Sequence, residues 1–120
     1  MSGWPGGLFR RRPRASAKQA GQIMREGAIL LDVREGPEWR AGHAPGARHI
    51  PLSHLPARMK DLPPQRTVLT VCRSGHRSAL AARMLAREGR EVIDLSGGMH
   101  AWARAGLPVV AARGRAGRVA

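Results

Sequence analysis

Apolar positions along the chain fall into short unbroken runs, and between the runs they thin out to a helical spacing. Residues 28–33, 67–71 and 91–95 are continuous rather than alternating, which is the signature of strands buried on both faces. Residues 48–51 form a shorter strand. Ser16 and Gln19 have capping-box spacing and open a helix that runs to Glu26 and stops at Gly27. Residues 37–41 make a turn or two of helix closed by Gly42, and residues 55–62 make a short helix ended by Pro63 and Pro64. A further helix runs from Ala79 to Glu88 with Gly89 behind it, and a last one from Met99 to Ala105 follows Gly97 and Gly98. Strands that alternate with helices predict a mainly parallel sheet of four or five strands with helices on both faces. The fold class is therefore α/β, a single three-layer α/β/α domain over residues 16–112.

Composition adjusts this picture at the ends. The chain has 120 residues, enough for one core without staples. Its net charge is +13, but residues 1–18 and 113–120 hold eight basic residues and no acid. These two stretches read as basic tails, flexible over 1–15, that bind polyanions weakly and without sequence preference. One Phe, no Tyr and scattered Trp leave no platform for stacking bases. A single cysteine permits no intrachain disulfide, so a reducing compartment, the cytoplasm, is the expected location. No apolar run approaches the roughly 20 residues of a membrane span.

That cysteine carries the candidate chemistry. Cys72-Arg73-Ser74-Gly75-His76-Arg77-Ser78 stands between the strand 67–71 and the helix that follows. In parallel sheets the reactive crevice lies at the carboxyl ends of the strands, where Cys72 falls. Gly75 lets the backbone turn so that successive N–H groups face one atom. Arg73, His76 and Arg77 add positive potential that favours a thiolate and a small dianionic substrate. An inert, buried cysteine would have apolar neighbours instead.

The loop resembles the active-site loop of the rhodanese-type sulfurtransferases, and three other stretches agree in the same order. Leu31-Asp32-Val33-Arg34 is similar to the family's strand-end Asp-x-Arg signature. Residues 38–47, beginning Glu38-Trp39 and passing through Gly42-His43, resemble its Glu-aromatic signature, and Gly97-Gly98 with Trp102 resembles its last one. The resemblance covers about residues 15–110. It implies a Cys72 persulfide, formed by attack on the outer sulfur of a thiosulfate-like donor. The persulfide would pass its sulfur to a thiol, to cyanide or to an acceptor protein, with no metal or organic cofactor. Phosphatases on this fold use a loop one residue longer, so the spacing from Cys72 to Arg77 favours sulfur as the atom attacked. Arg73 and Arg77 suit thiosulfate better than mercaptopyruvate. With no second cysteine, the sulfur must leave to another molecule.

The resemblance implies that Asp32, Arg34 and Glu38 brace the site, Glu38 by offsetting Arg77 or Arg73; for Asp32 and Arg34 two readings stand, contact of Arg34 with the loop or a purely structural ion pair. His43 reads as a turn histidine, and Trp39 and Trp102 as core anchors. His43, His49, His54, His76 and His100 lack the spacing and co-ligands of a zinc site, so no metal is expected. The alternative to catalysis is a noncatalytic rhodanese-like module that binds, regulates or relays sulfur for another protein.

Overall fold

A computed structural model describes residues 13–120. Five parallel strands form one sheet in the order β1-β5-β4-β2-β3. In chain order these are β1 (Arg14–Ala15), α1 (Ala17–Arg25), β2 (Ile29–Asp32), α2 (Gly36–Ala41) and β3 (Arg48–His49). Then come α3 (Leu55–Arg58), β4 (Val68–Val71), α4 (His76–Arg87), β5 (Val92–Leu95) and α5 (Gly98–Arg104). The central strands β2 and β4 are buried at every position, as continuous apolar runs require.

The sheet separates two apolar clusters. One holds Leu31, Val68, Leu55, Ala82 and Leu85 on the side of α3 and α4. The other holds Leu30, Leu69, Val71, Ala20, Met99 and Trp102 on the side of α1 and α5. Along β2 and β4, successive side chains enter opposite clusters, which is how an uninterrupted apolar run fills two layers at once. The register sets Asp32 beside Val71, so the ends of β2 and β4 open on the same edge.

The structure corrects the sequence reading in three places. Of the tail expected over 1–15, residues 1–12 lie outside the described residues, and Arg14–Ala15 form an edge strand on β5. The helix expected over 55–62 is four α-helical residues between two 3₁₀ turns, Leu52–His54 and Met59–Asp61. Pro56 sits in the first turn of α3, where a missing N–H costs nothing. The basic tail expected over 113–120 folds back on the domain. Val110 exchanges backbone hydrogen bonds with His43, both at 2.9 Å, and a tight reversal pairs Val110 with Ala116. The Arg118 N–H then donates to the Ala41 carbonyl at 3.0 Å. Among the described residues, no helix is long and apolar enough to cross a membrane.

Candidate active site

Cys72 follows the last residue of β4 and is buried, with its sulfur held from three directions. The backbone N–H groups of Gly75 and Ser78 donate to Sγ at 3.1 and 3.3 Å. The thiol proton lies toward Ser78 Oγ at 3.4 Å, and that hydroxyl donates to the Gly75 carbonyl at 3.3 Å. Once the thiol is ionised, the same hydroxyl can turn and donate to sulfur. These donors are fixed by the fold before any charge develops, the arrangement that stabilises an anion most effectively. Gly75 has φ +116°, a conformation open to glycine, and it caps α4 so that the helix N-terminus also faces the sulfur.

A second turn holds the loop from below. The N–H groups of Met99 and His100, in the first turn of α5, donate to the carbonyls of Cys72 and Arg73 at 2.7 and 3.1 Å. Gly98 allows this approach. Its φ is +59°, and a Cβ there would strike the Cys72 and Arg73 carbonyl oxygens. The Gly97-Gly98 pair thus brings α5 against the cysteine loop, which explains its place among the sequence signatures.

Arg77 leaves the loop to meet α2. Its Nη1 and Nη2 donate to Glu38 Oε1 and Oε2 at 2.7 and 2.9 Å. Glu38 Oε1 also accepts from the Glu35 N–H at 2.9 Å, which closes the capping box of α2. The Arg77 guanidinium, helped by that N–H and opposed by partial burial, holds the Glu38 carboxyl at about 2 from an ordinary 4.5. Glu38 in turn raises the Arg77 pKa. One ion pair therefore ties the loop to the start of α2.

Asp32 and Arg34 make a fully buried pair, Nη2 to Oδ2 at 2.7 Å with Nε shared between both carboxylate oxygens. Arg34 Nη2 also donates to the Gly42 carbonyl at 2.7 Å. The hydrogen bonds of Arg34 thus go to β2 and the α2 turn rather than to the cysteine loop, so of the two sequence readings the structural ion pair is the one observed. Trp39 also differs from expectation. It is half-buried and stacks between His43 and His49, at 3.6 and 4.8 Å between ring centroids. His43 Nδ1 binds the Trp39 carbonyl at 2.8 Å, and His49 Nε2 binds the Arg34 carbonyl at 2.7 Å. Trp102 is buried, and its Nε1 donates to Pro108.

Arg73, Ser74 and His76 are exposed around the loop. Arg73 Nε donates to a backbone oxygen of Ala120 at 2.8 Å, a contact across the chain that no local sequence pattern signals. A cavity of about 380 Å³ adjoins Ser74, Gly75, His76 and Gly97. Gly75 both lines that cavity and donates to the sulfur.

The profile of the rhodanese-like domain matches residues 16–105. A sulfurtransferase of Allochromatium vinosum is 42% identical over 90 residues, covering 74% of this chain and 84% of that protein. An HTH-type transcriptional regulator of Mycobacterium tuberculosis is 38% identical over 104 residues, 85% of this chain but 41% of the regulator. The crystal structure of a rhodanese-related protein from Thermoplasma volcanium superposes with a TM-score of 0.77 at 31% identity. That match covers 82% of this chain and 97% of the other.

Proposed function

The chain belongs to the rhodanese-like family, and from that premise we propose that it is a sulfurtransferase working through a Cys72 persulfide, with a thiosulfate-like anion as donor. The observation that carries the reading is the set of donors aimed at one sulfur, the Gly75 and Ser78 N–H groups with the Ser78 hydroxyl beside them. A cysteine kept only for packing has no use for such a cradle.

The Cys72 thiolate attacks the outer sulfur of thiosulfate. A new S–S bond forms at Sγ, the S–S bond of the donor breaks, and sulfite leaves with the bonding pair. The outer sulfur of the persulfide then carries the negative charge, in a loop of donors and cations that favours it. Cyanide or an acceptor thiolate attacks that outer sulfur, takes it as thiocyanate or as a new persulfide, and returns Cys72 as thiolate. Ser74, Gly75 and His76 border the approach, and Ser78 steadies the charge on Sγ. Asp32, Arg34, Glu38 and Arg77 hold the frame. The chain's lone cysteine means that the acceptor is a separate molecule, a small thiol or a protein.

Steady-state sulfur transfer from thiosulfate to cyanide, compared between the protein and Cys72→Ser, tests the reading. Serine keeps the shape and loses the nucleophile, so activity should fall by about 10³ or more with the melting transition retained. Equal activity in the two proteins would leave the fold to the regulatory role that the transcriptional regulator illustrates.

A further inference from the structure

The buried face of α4 consists of Ser78, Ala81, Ala82 and Leu85. On the opposite face His76, Leu80, Arg83 and Arg87 are exposed, and they follow one another at steps of four, three and four residues. That spacing sets them in a single row along the helix, about 16 Å long at the α-helical rise. The row begins at the sulfur site. His76 follows Gly75, whose N–H donates to Cys72 Sγ, and it lines the cavity beside the loop together with Ala79.

Leu80 is 42% exposed, the only large hydrophobic side chain so open among the described residues. A lone leucine on a surface is ordinary, but this one is flanked by cations without counter-charges. Arg83 and Arg87 stand at i, i+4 on a helix that contains no acid, and like charges at that spacing repel. The helix dipole offsets only Arg87, in the last turn. Other arginines are spent inside the fold, Arg77 on Glu38 and Arg90 on the carbonyls of Met59, Leu62 and Pro63. Among the described residues, Arg83 and Arg87 make no ion pair and no side-chain hydrogen bond. An apolar side chain set among available guanidinium groups is complemented by an acidic protein face with an apolar contact at its middle. A phosphate backbone would satisfy the arginines and leave Leu80 against charge.

We infer that this row docks the protein that takes the sulfur. The partner is acidic, covers Leu80 with an apolar side chain, pairs carboxylates with Arg83 and Arg87, and brings its acceptor thiol to the His76 end. The inference rests on the proposal that Cys72 carries sulfur. The partner's thiol loses its proton to solvent and attacks the outer sulfur of the Cys72 persulfide. The S–S bond at Sγ breaks, the partner keeps the sulfur as a persulfide, and Cys72 returns as thiolate. The row governs encounter and orientation and touches no reacting atom.

The probe is a short helical peptide with an N-terminal cysteine and with leucine and glutamates on one face. A second peptide carries glutamine for each glutamate. Thiosulfate-loaded protein is mixed with each, and loss of the added sulfur is followed by mass spectrometry. The glutamate peptide should discharge Cys72 about tenfold faster. Arg83→Glu with Arg87→Glu should abolish that preference, and Leu80→Ser should slow both peptides several-fold. Cyanide should discharge every variant within about twofold of the parent rate. Lys18→Glu with Arg25→Glu, the same change of charge on α1 across the sheet, should keep most of the preference. Arg83→Gln with Arg87→Gln serves where new acids near the helix end lower the yield of folded protein. A second readout needs no sulfur: fluorescence anisotropy of the glutamate peptide, with serine for its cysteine, against Cys72→Ser protein. The same α4 changes should weaken that binding about tenfold.

Equal discharge by the two peptides would overturn the inference. So would a preference that survives the α4 changes, or one that the α1 changes remove equally. Reversal of the row that weakens binding of labelled single-stranded RNA and leaves the glutamate peptide unaffected would overturn it in favour of nucleic acid. Protein that takes no sulfur from thiosulfate contradicts the sulfurtransferase proposal instead, and the anisotropy series then still decides whether the row binds an acidic partner.

Discussion

At the scale of single residues, the site is a set of donors arranged around one sulfur, with one ion pair as its brace. Ser78 is the side chain that can follow the charge. Ser78→Ala should lower kcat by about tenfold to a hundredfold with little change in thiosulfate KM, read from steady-state kinetics. Glu38 acts on the frame, and its contribution depends on pH. Its folded pKa, about 2, lies below the ordinary 4.5, so the folded state is favoured above 4.5 and loses that support as pH falls toward 2. Glu38→Gln should cost about 1 kcal/mol at neutral pH, a modest value for a bidentate pair that water still reaches. Denaturant midpoints of the two proteins should differ at pH 7 and converge near pH 2; a constant difference would remove the ion pair as its cause. The cysteine at the end of β4 and the glycine that turns the backbone toward it are readable from residue types and spacing, whereas for Glu38 the sequence leaves Arg77 and Arg73 both open. The partnership of Arg73 is not readable, because Ala120 is far off in sequence and offers only a backbone oxygen.

At the scale of elements, the cysteine loop depends on the turn that leads into α5. Gly98→Ala adds a methyl against two carbonyls and forces an L-residue to φ +59°. Together these should cost about 2–4 kcal/mol and open the loop. Activity should be lost at temperatures where circular dichroism still reports a folded protein. Full activity at native stability would show that the α5 turn is not what holds the loop. The elements that sequence reading recovered best are β2, β4, β5 and α1, whose apolar runs or caps carry the signal locally. What it missed depends on distant partners. Two-residue β1 has no pattern of its own and exists because the Asp94 and Ser96 N–H groups donate to the Pro13 and Ala15 carbonyls. Residues 113–120 read as a basic tail, since their structure comes from backbone contact with Ala41, Gly42 and Val110. Trp39 has the spacing of a core residue on a six-residue helix that buries no side chain fully, and it finds two imidazoles instead.

At the scale of the whole molecule, fold and charge serve the same end. The parallel sheet brings the carboxyl ends of β2, β4 and β5 to one edge, and the α4 and α5 turns meet there around Cys72. With 21 basic residues against 8 acidic, the protein attracts anions from a distance. The thiosulfate kcat/KM should therefore fall several-fold as ionic strength rises from about 0.01 to 0.15 M, as screening shortens from about 30 to 8 Å. A neutral sulfur donor should show little of that dependence. A lone cysteine also means that no internal disulfide can release the sulfur, so the loaded form should persist until an acceptor arrives. Intact-protein mass spectrometry after brief exposure to thiosulfate tests the central claim most directly. The protein should carry one added sulfur, located at Cys72, absent in Cys72→Ser and removed by cyanide as thiocyanate forms. A Cys72 that stays unmodified in folded, reduced protein would contradict the account.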